Sequence, residues 1–242
     1  MVRPAIQLYT LRNVDRPLSE LLEAVADAGF EGVEFAYQVT ETDPDAVVET
    51  LESTGLDVAG AHVSIEALEE NHAETVEFYD RIGVENVVVP FLDVENFQSR
   101  EAVADAADRL AAIGEALVTH DKRLHYHNHD HEYVDLGGET AFDAFVETTD
   151  CGIELDLGLA MCAGDDPVER LHALGSRSEL VHLKDYDVDA EETRVVGEGN
   201  LDLDGIAAAL EANGSDWLIY EYEGADPLET LERAADRTSE LC

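Results

Sequence analysis

The sequence predicts a single domain over residues 1–242, folded as a closed parallel (β/α)8 barrel. Three observations carry this. Eight short apolar runs alternate with helical patterns along 242 residues, the unit count and length of such a barrel. The runs are continuous rather than alternating, as in ENVVVP at 85–90, which suits strands covered by helices. Several helical patterns open at Asp, Ser or Thr beside Pro and close at Gly. The competing open, doubly wound sheet would place a Gly-rich phosphate turn after its first strand. QLYTLRNVD at 7–15 contains no glycine.

In order, 5–9 reads as a buried strand. Asp15 and Pro17 then open a helix through Leu18, Leu21, Leu22 and Val25, closed by Gly29. Residues 32–35 form the second strand. Asp43-Pro44 starts a helix through Val47, Val48 and Leu51 that ends at Gly55. Residues 57–62 are a strand, and a helix carrying Val76, Tyr79 and Ile82 follows to Gly83. Residues 85–90 are a strand, then a long helix runs from about Ser99 through Val103, Ala107, Leu110 and Leu117. The second half repeats the rhythm: strands at 123–128, 152–156, 180–184 and 217–222, with helices at 140–146, 167–174, 203–210 and 228–235.

The charge is extreme. Asp and Glu number 56 against 14 Lys and Arg, for a net charge of −42, and the acids are spread through every segment. Such a surface suits concentrated salt, where the Debye length shrinks to ~3 Å near 1 M. At low salt the same charges repel one another and weaken the compact state. A chain this acidic makes a poor partner for nucleic acid or anionic membranes. Three cysteines without CxxC spacing fit reduced thiols in a cytoplasm. The start, MVRPAIQLYTLR, lacks the apolar core of a signal peptide, and no apolar run is long enough to span a bilayer.

Chemistry concentrates at strand ends. In RLHYHNHDHEY at 123–133, His125, His127, His129 and His131 alternate, so a strand would aim several imidazoles to one face. A polar strand end with satisfied histidines is the plainer account. In a barrel, catalytic groups lie at the C-terminal ends of strands. Glu34, His62, His127 with His129, Asp156, His182 with Lys184-Asp185, and Glu221 all fall there. Acids and His inside apolar strands (IELDL, LVHLK, LIYEY) need partners, because an unpaired buried charge is costly. One divalent cation would partner them all.

The pieces IQLYTLR, GFEGVEFA, GAHVS, YHNHDHEY, ELDLGLAMCAGDDP, LVHLKDYD, VVGEGNLDL and YEYE cover nearly the whole chain. On these the sequence resembles the xylose isomerase-like TIM barrel superfamily, within its sugar phosphate isomerase/epimerase group. The resemblance implies one divalent metal held by His127, Asp156, His182 and Glu221. Many relatives have Glu where His127 aligns, so His129 and Glu132 stay open as the strand-five ligand. Leu159 stands where some relatives carry His. That departs from the ketose 3-epimerases and from the multi-zinc DNA-repair branch.

Carboxylates with imidazoles suit Mn²⁺ first, with Mg²⁺, Co²⁺ and Zn²⁺ also compatible. The implied reaction is isomerisation or epimerisation of a keto sugar or related polyol through an enediolate. Glu221 is the preferred acid/base, with Glu132 or His129 as its partner. Glu34, His62, Lys184, Asp185 and Glu198 are candidate substrate contacts, Lys184 alternatively pairing with Asp185 and Glu198 alternatively capping its loop. Three other readings stand beside this one: a metal-dependent lyase such as an inosose-type dehydratase, an apurinic-site endonuclease, and a non-catalytic sugar-binding barrel. The expected partner is a small sugar or polyol, with no nucleic acid and no membrane. A homodimer is common in the group.

Overall fold

The computed structural model describes residues 1–242, the side chain of Tyr37 excepted. Eight strands close the barrel: β1 (Arg3–Gln7), β2 (Gly32–Phe35), β3 (Asp57–His62), β4 (Asn86–Val89), β5 (Arg123–His127), β6 (Gly152–Asp156), β7 (Leu180–Leu183) and β10 (Trp217–Tyr220). Every neighbouring pair is parallel, and β10 closes the ring against β1. The helices are α1 (Leu18–Ala28), α2 (Pro44–Thr54), α3 (Ile65–Glu70), α4 (His72–Arg81), α5 (Arg100–Val118), α6 (Ala141–Thr148), α7 (Leu157–Cys162), α8 (Pro167–Leu174), α9 (Leu203–Asn213) and α10 (Pro227–Ser239). Among the described residues no helix is long and apolar enough to cross a membrane.

The helix limits follow their capping residues. Ser99 accepts from Ala102 N at the start of α5, and Thr140 with Asp143 forms a reciprocal capping box on α6. Gly29 and Gly55 end α1 and α2 at φ 102° and 74°, a backbone region that L side chains avoid. The main core lies between the strands and the helix ring. A second, small cluster of Ala5, Ala59, Val88, Leu180, Trp217 and Ile219 fills the lower barrel. The interior mixes this apolar cluster with the buried Asn86–His125 pair, and its charged groups lie further towards the strand C-termini.

Some elements differ from the sequence expectation. β1 stops at Gln7 rather than residue 9, because Gln7 Oε1 accepts from Tyr9 N at 3.0 Å and turns the chain into a short 3-10 segment. β10 stops at Tyr220, after which Tyr222 N turns to Thr10 Oγ1 at 3.0 Å. Helix α7 and the hairpin β8 (Asp185–Asp187)/β9 (Glu192–Arg194) were not anticipated.

Candidate active site

Register places the functional residues side by side around the ring. Gln7 is level with Glu34, His127 with Glu154, and Asp156 with His182. Alternate residues of a strand share a face. The pairs 125/127, 154/156 and 182/184 therefore climb the same inner wall towards a cavity of about 410 Å³, lined among others by His62, His127, His129, Lys184, Glu221 and Glu223.

Beside it, side chains of His127, Asp156, His182 and Glu221, of which His127 and Glu221 line the cavity, each bring one donor atom within 4.8 Å of the others. His182 Nδ1 is 2.9 Å from Glu221 Oε2, and His127 Nε2 is 3.9 Å from Asp156 Oδ2. A second group shares two of these residues and adds His62 and Glu154. Its centre is Glu154 Oε2, which lies 2.8 Å from His62 Nε2 and 3.2 Å from both His127 Nδ1 and His182 Nε2. Below it, Glu34 Oε2 lies 2.7 Å from His182 Nε2 and accepts from Gln7 Nε2 at 2.6 Å.

Residues 22–241 match the family model of the xylose isomerase-like TIM barrel. The chain belongs to the xylose isomerase-like TIM barrel family. It is similar to the inosose dehydratase of Geobacillus kaustophilus (strain HTA426), 32% identical over 144 residues. That match covers 51% of this chain and only 45% of the relative's length. The inosose dehydratase of Clostridium botulinum (strain Eklund 17B / Type B) is 25% identical over 260 residues, covering 89% of this chain and 86% of that protein. Among solved structures, a sugar phosphate isomerase/epimerase from Parabacteroides distasonis ATCC 8503 superposes with a TM-score of 0.84 at 17% identity, covering 97% of this chain and 96% of that one. The IOLI protein, solved with a bound zinc atom, gives 0.73 at 18%, covering 99% and 96%. At such identities these two structures speak for the fold.

The electrostatics of this family member's site are set by burial and by mutual charge. Burial works against ionising Glu34, but the charges of His62 and His182 overcome it and hold its carboxyl well below the usual range. Burial likewise opposes Glu221, yet Lys184 and His182 keep it low. Burial dominates at Asp156 and Glu154, pushing them up to about 6 and about 7, with the Glu34 charge adding to the second. His62 rises to about 10, because Glu34 and Glu154 outweigh its burial. His129 falls to about 4 through burial and the nearby His131.

The expected substrate contacts separate on inspection. Lys184 and His62 do line the cavity. Lys184 Nζ reaches Glu223 at 2.6 Å, Glu221 at 3.4 Å and Asp156 at 3.7 Å, rather than Asp185. Glu34 is wholly buried beneath His182. Asp185 opens β8, two residues past the end of β7, and is turned into its own loop. Its carboxylate accepts from Gly197 N at 2.8 Å, Gly199 N at 2.9 Å and Leu201 N at 3.3 Å. Glu198 points outward and pairs with Arg233 at 2.7 Å on the exposed surface. Of the proposed acid/base partners, His129 lines the cavity. Glu132 is buried behind it, accepting from the Tyr126 hydroxyl and 3.9 Å from His129 Nδ1.

Sequence reasoning did not single out Glu154, Gln7 or Glu223. Glu154 had a usable signal, since it lies two residues before Asp156 in one strand and so shares its face. Gln7 and Glu223 had none, as each takes its role from neighbours far off in the chain.

A divalent ion fits these residues. Buried oxygens Asp156 Oδ2, Glu154 Oε1 and Glu34 Oε1 have no hydrogen-bond partner among the described residues. An unsatisfied buried acceptor is costly; of the four buried carboxylates here, Asp156 and Glu221 share the Lys184 ammonium, while Glu34 and Glu154 meet the imidazoles of His62 and His182. Two carboxylates with two imidazoles form a donor set that first-row divalent ions accept.

Proposed function

We propose that this chain is a divalent-metal-dependent enzyme that isomerises or epimerises a keto sugar or related polyol by moving the proton next to its carbonyl. The observation that carries the reading is the convergence of His127, Asp156, His182 and Glu221, from four barrel strands or their ends, beside an open cavity that His127 and Glu221 line. These four would hold the ion, Mn²⁺ being the first choice by donor type. A bound divalent ion supplies Lewis acidity that polarises the carbonyl and offsets the charge left when the neighbouring proton departs.

The remaining work falls to the chain itself. Glu221, kept ionised beside Lys184 and His182, accepts the proton. His129, neutral at ordinary pH and on the cavity wall, is its partner in exchanging a proton with the substrate. Lys184 donates a hydrogen bond to a substrate oxygen, drawn forward from Glu221 and Glu223. Glu132 reaches the substrate only through His129.

A second reading is dehydration, in which the same deprotonation is followed by expulsion of hydroxide. It is favoured by the Clostridium inosose dehydratase, whose likeness extends over 86% of that protein's length. Manganese-loaded protein in high salt, incubated in D2O with a panel of ketoses and inososes, tests both. Deuterium beside the carbonyl with retained mass balance supports isomerase or epimerase chemistry. Loss of water supports the dehydratase. Protein that binds no divalent ion and exchanges no deuterium would refute both.

A further inference from the structure

The wholly buried pair Gln7–Glu34 has no contact with the cavity, although Glu34 stands at the end of a barrel strand where a substrate contact was expected. Its carboxylate instead meets His182. Glu34 Oε2 is 2.7 Å from His182 Nε2, and Gln7 Nε2 donates to the same oxygen at 2.6 Å. The other ring nitrogen, Nδ1, faces Glu221, a member of the four-residue group, at 2.9 Å. The barrel has made room for this contact. A Cβ at Gly60 would stand 2.9 Å from Glu34 Oε1.

We propose that Glu34, anchored by Gln7, is a positioning residue that holds His182 as the Nε2–H tautomer, so that the Nδ1 lone pair points at the cation. This rests on the reading that His182 is a ligand. The physical case is direct. A neutral imidazole carries one N–H and one lone pair. A carboxylate can only accept, so Nε2, which faces Glu34 and Glu154, keeps its hydrogen, and the hydrogen that Nδ1 gives to Glu221 in the metal-free protein is the one a cation would displace. An outer carboxylate of this kind fixes ring orientation and raises the basicity of the ligating nitrogen. His182 is fully buried, so water cannot substitute for Glu34. Gln7 in turn anchors Glu34 Oε2, which also meets His62 Nε2 at 3.3 Å, against the ring of His182.

Zn²⁺ is the test ion, because it is diamagnetic. In zinc-loaded wild-type protein, 15N-detected imidazole NMR should show His182 with a protonated Nε2 and a zinc-bound Nδ1. Competition with a chelator should show Glu34→Gln and Gln7→Leu weakening zinc binding by ~10–100-fold and ~3–10-fold, the first being the range typical of outer-partner loss. Glu34→Gln should also broaden or split the His182 resonances. Glu223→Gln removes a charge from the same mouth without facing an imidazole, and should stay within about threefold of wild type in zinc affinity. Zinc on His182 Nε2, or wild-type affinity and spectra in Glu34→Gln, would overturn the inference while leaving the metal reading standing. Failure of the wild type to bind zinc or manganese would overturn the metal reading and this inference with it.

Discussion

His182 Nδ1 lies 2.9 Å from Glu221 Oε2, although the two residues are 39 positions apart in the chain. His182 lies in β7 and Glu221 directly follows the neighbouring strand β10, where Glu221 N bonds to Leu183 O at 3.2 Å as the chain leaves the barrel. That backbone bond fixes the height at which the carboxylate stands beside the ring. If Glu221 takes the substrate proton, Glu221→Gln should keep the fold and lower turnover by ~10²–10⁴-fold. Steady-state kinetics with the metal content measured in the same sample checks this. Full turnover with metal retained would exclude the role.

Asp156 offers a sharper test of the cation. Its Oδ1 caps α7 by accepting from Leu159 N at 2.8 Å, whereas Oδ2 has no hydrogen-bond partner. Asp156→Asn keeps the cap and removes the free charge. Divalent-ion affinity should fall by more than the ~10–100-fold that outer partners typically cost. The metal-free variant should melt at or above the wild-type temperature near pH 7, because burial already disfavours this charge and pushes its carboxyl up to about 6. Calorimetry of binding and thermal melts of the same preparation separate the two effects. A variant that binds the ion as tightly as wild type would remove Asp156 from the ligand set.

The pH dependence of the metal-free protein should carry a signature of His62. Burial disfavours its charge, but Glu34 and Glu154 raise it from 6.5 to about 10. The folded state therefore binds the proton more tightly than the unfolded state. The stabilisation is fully present below about pH 6.5 and is lost as pH rises through about 10. Melting temperature should fall across that window, and His62→Gln should flatten the fall. Parallel slopes in wild type and variant would show that His62 is not the group responsible.

The net charge of −42 predicts a salt requirement. Screening lengths fall from ~10 Å at 0.1 M to ~3 Å at 1 M, so repulsion between neighbouring surface carboxylates is largely removed. Raising KCl from 0.1 to 2 M should raise the melting temperature by about 10 °C or more, a few kcal/mol at ~2–4 °C per kcal/mol for a chain of this size. Circular dichroism melts across that range suffice. A melting temperature independent of salt would contradict the account of the surface.

The sequence by itself determined the barrel and the strand ends that face its mouth. Short apolar runs and Gly-terminated helices are local signals, and β2, β3 and β6 begin and end where those signals place them. Asp156 and His182 stood out for the same reason: a charge inside an apolar strand is anomalous without knowledge of anything distant. Only the tertiary structure decided what each side chain meets. Asp185 and Glu34 look alike as acids at strand ends, yet one holds the 197–201 loop and the other holds His182 from below. Their directions follow from strand register around a closed ring and from where the next loop returns. These are relations between residues up to 148 positions apart, as for Glu34 and His182, and no local pattern records them.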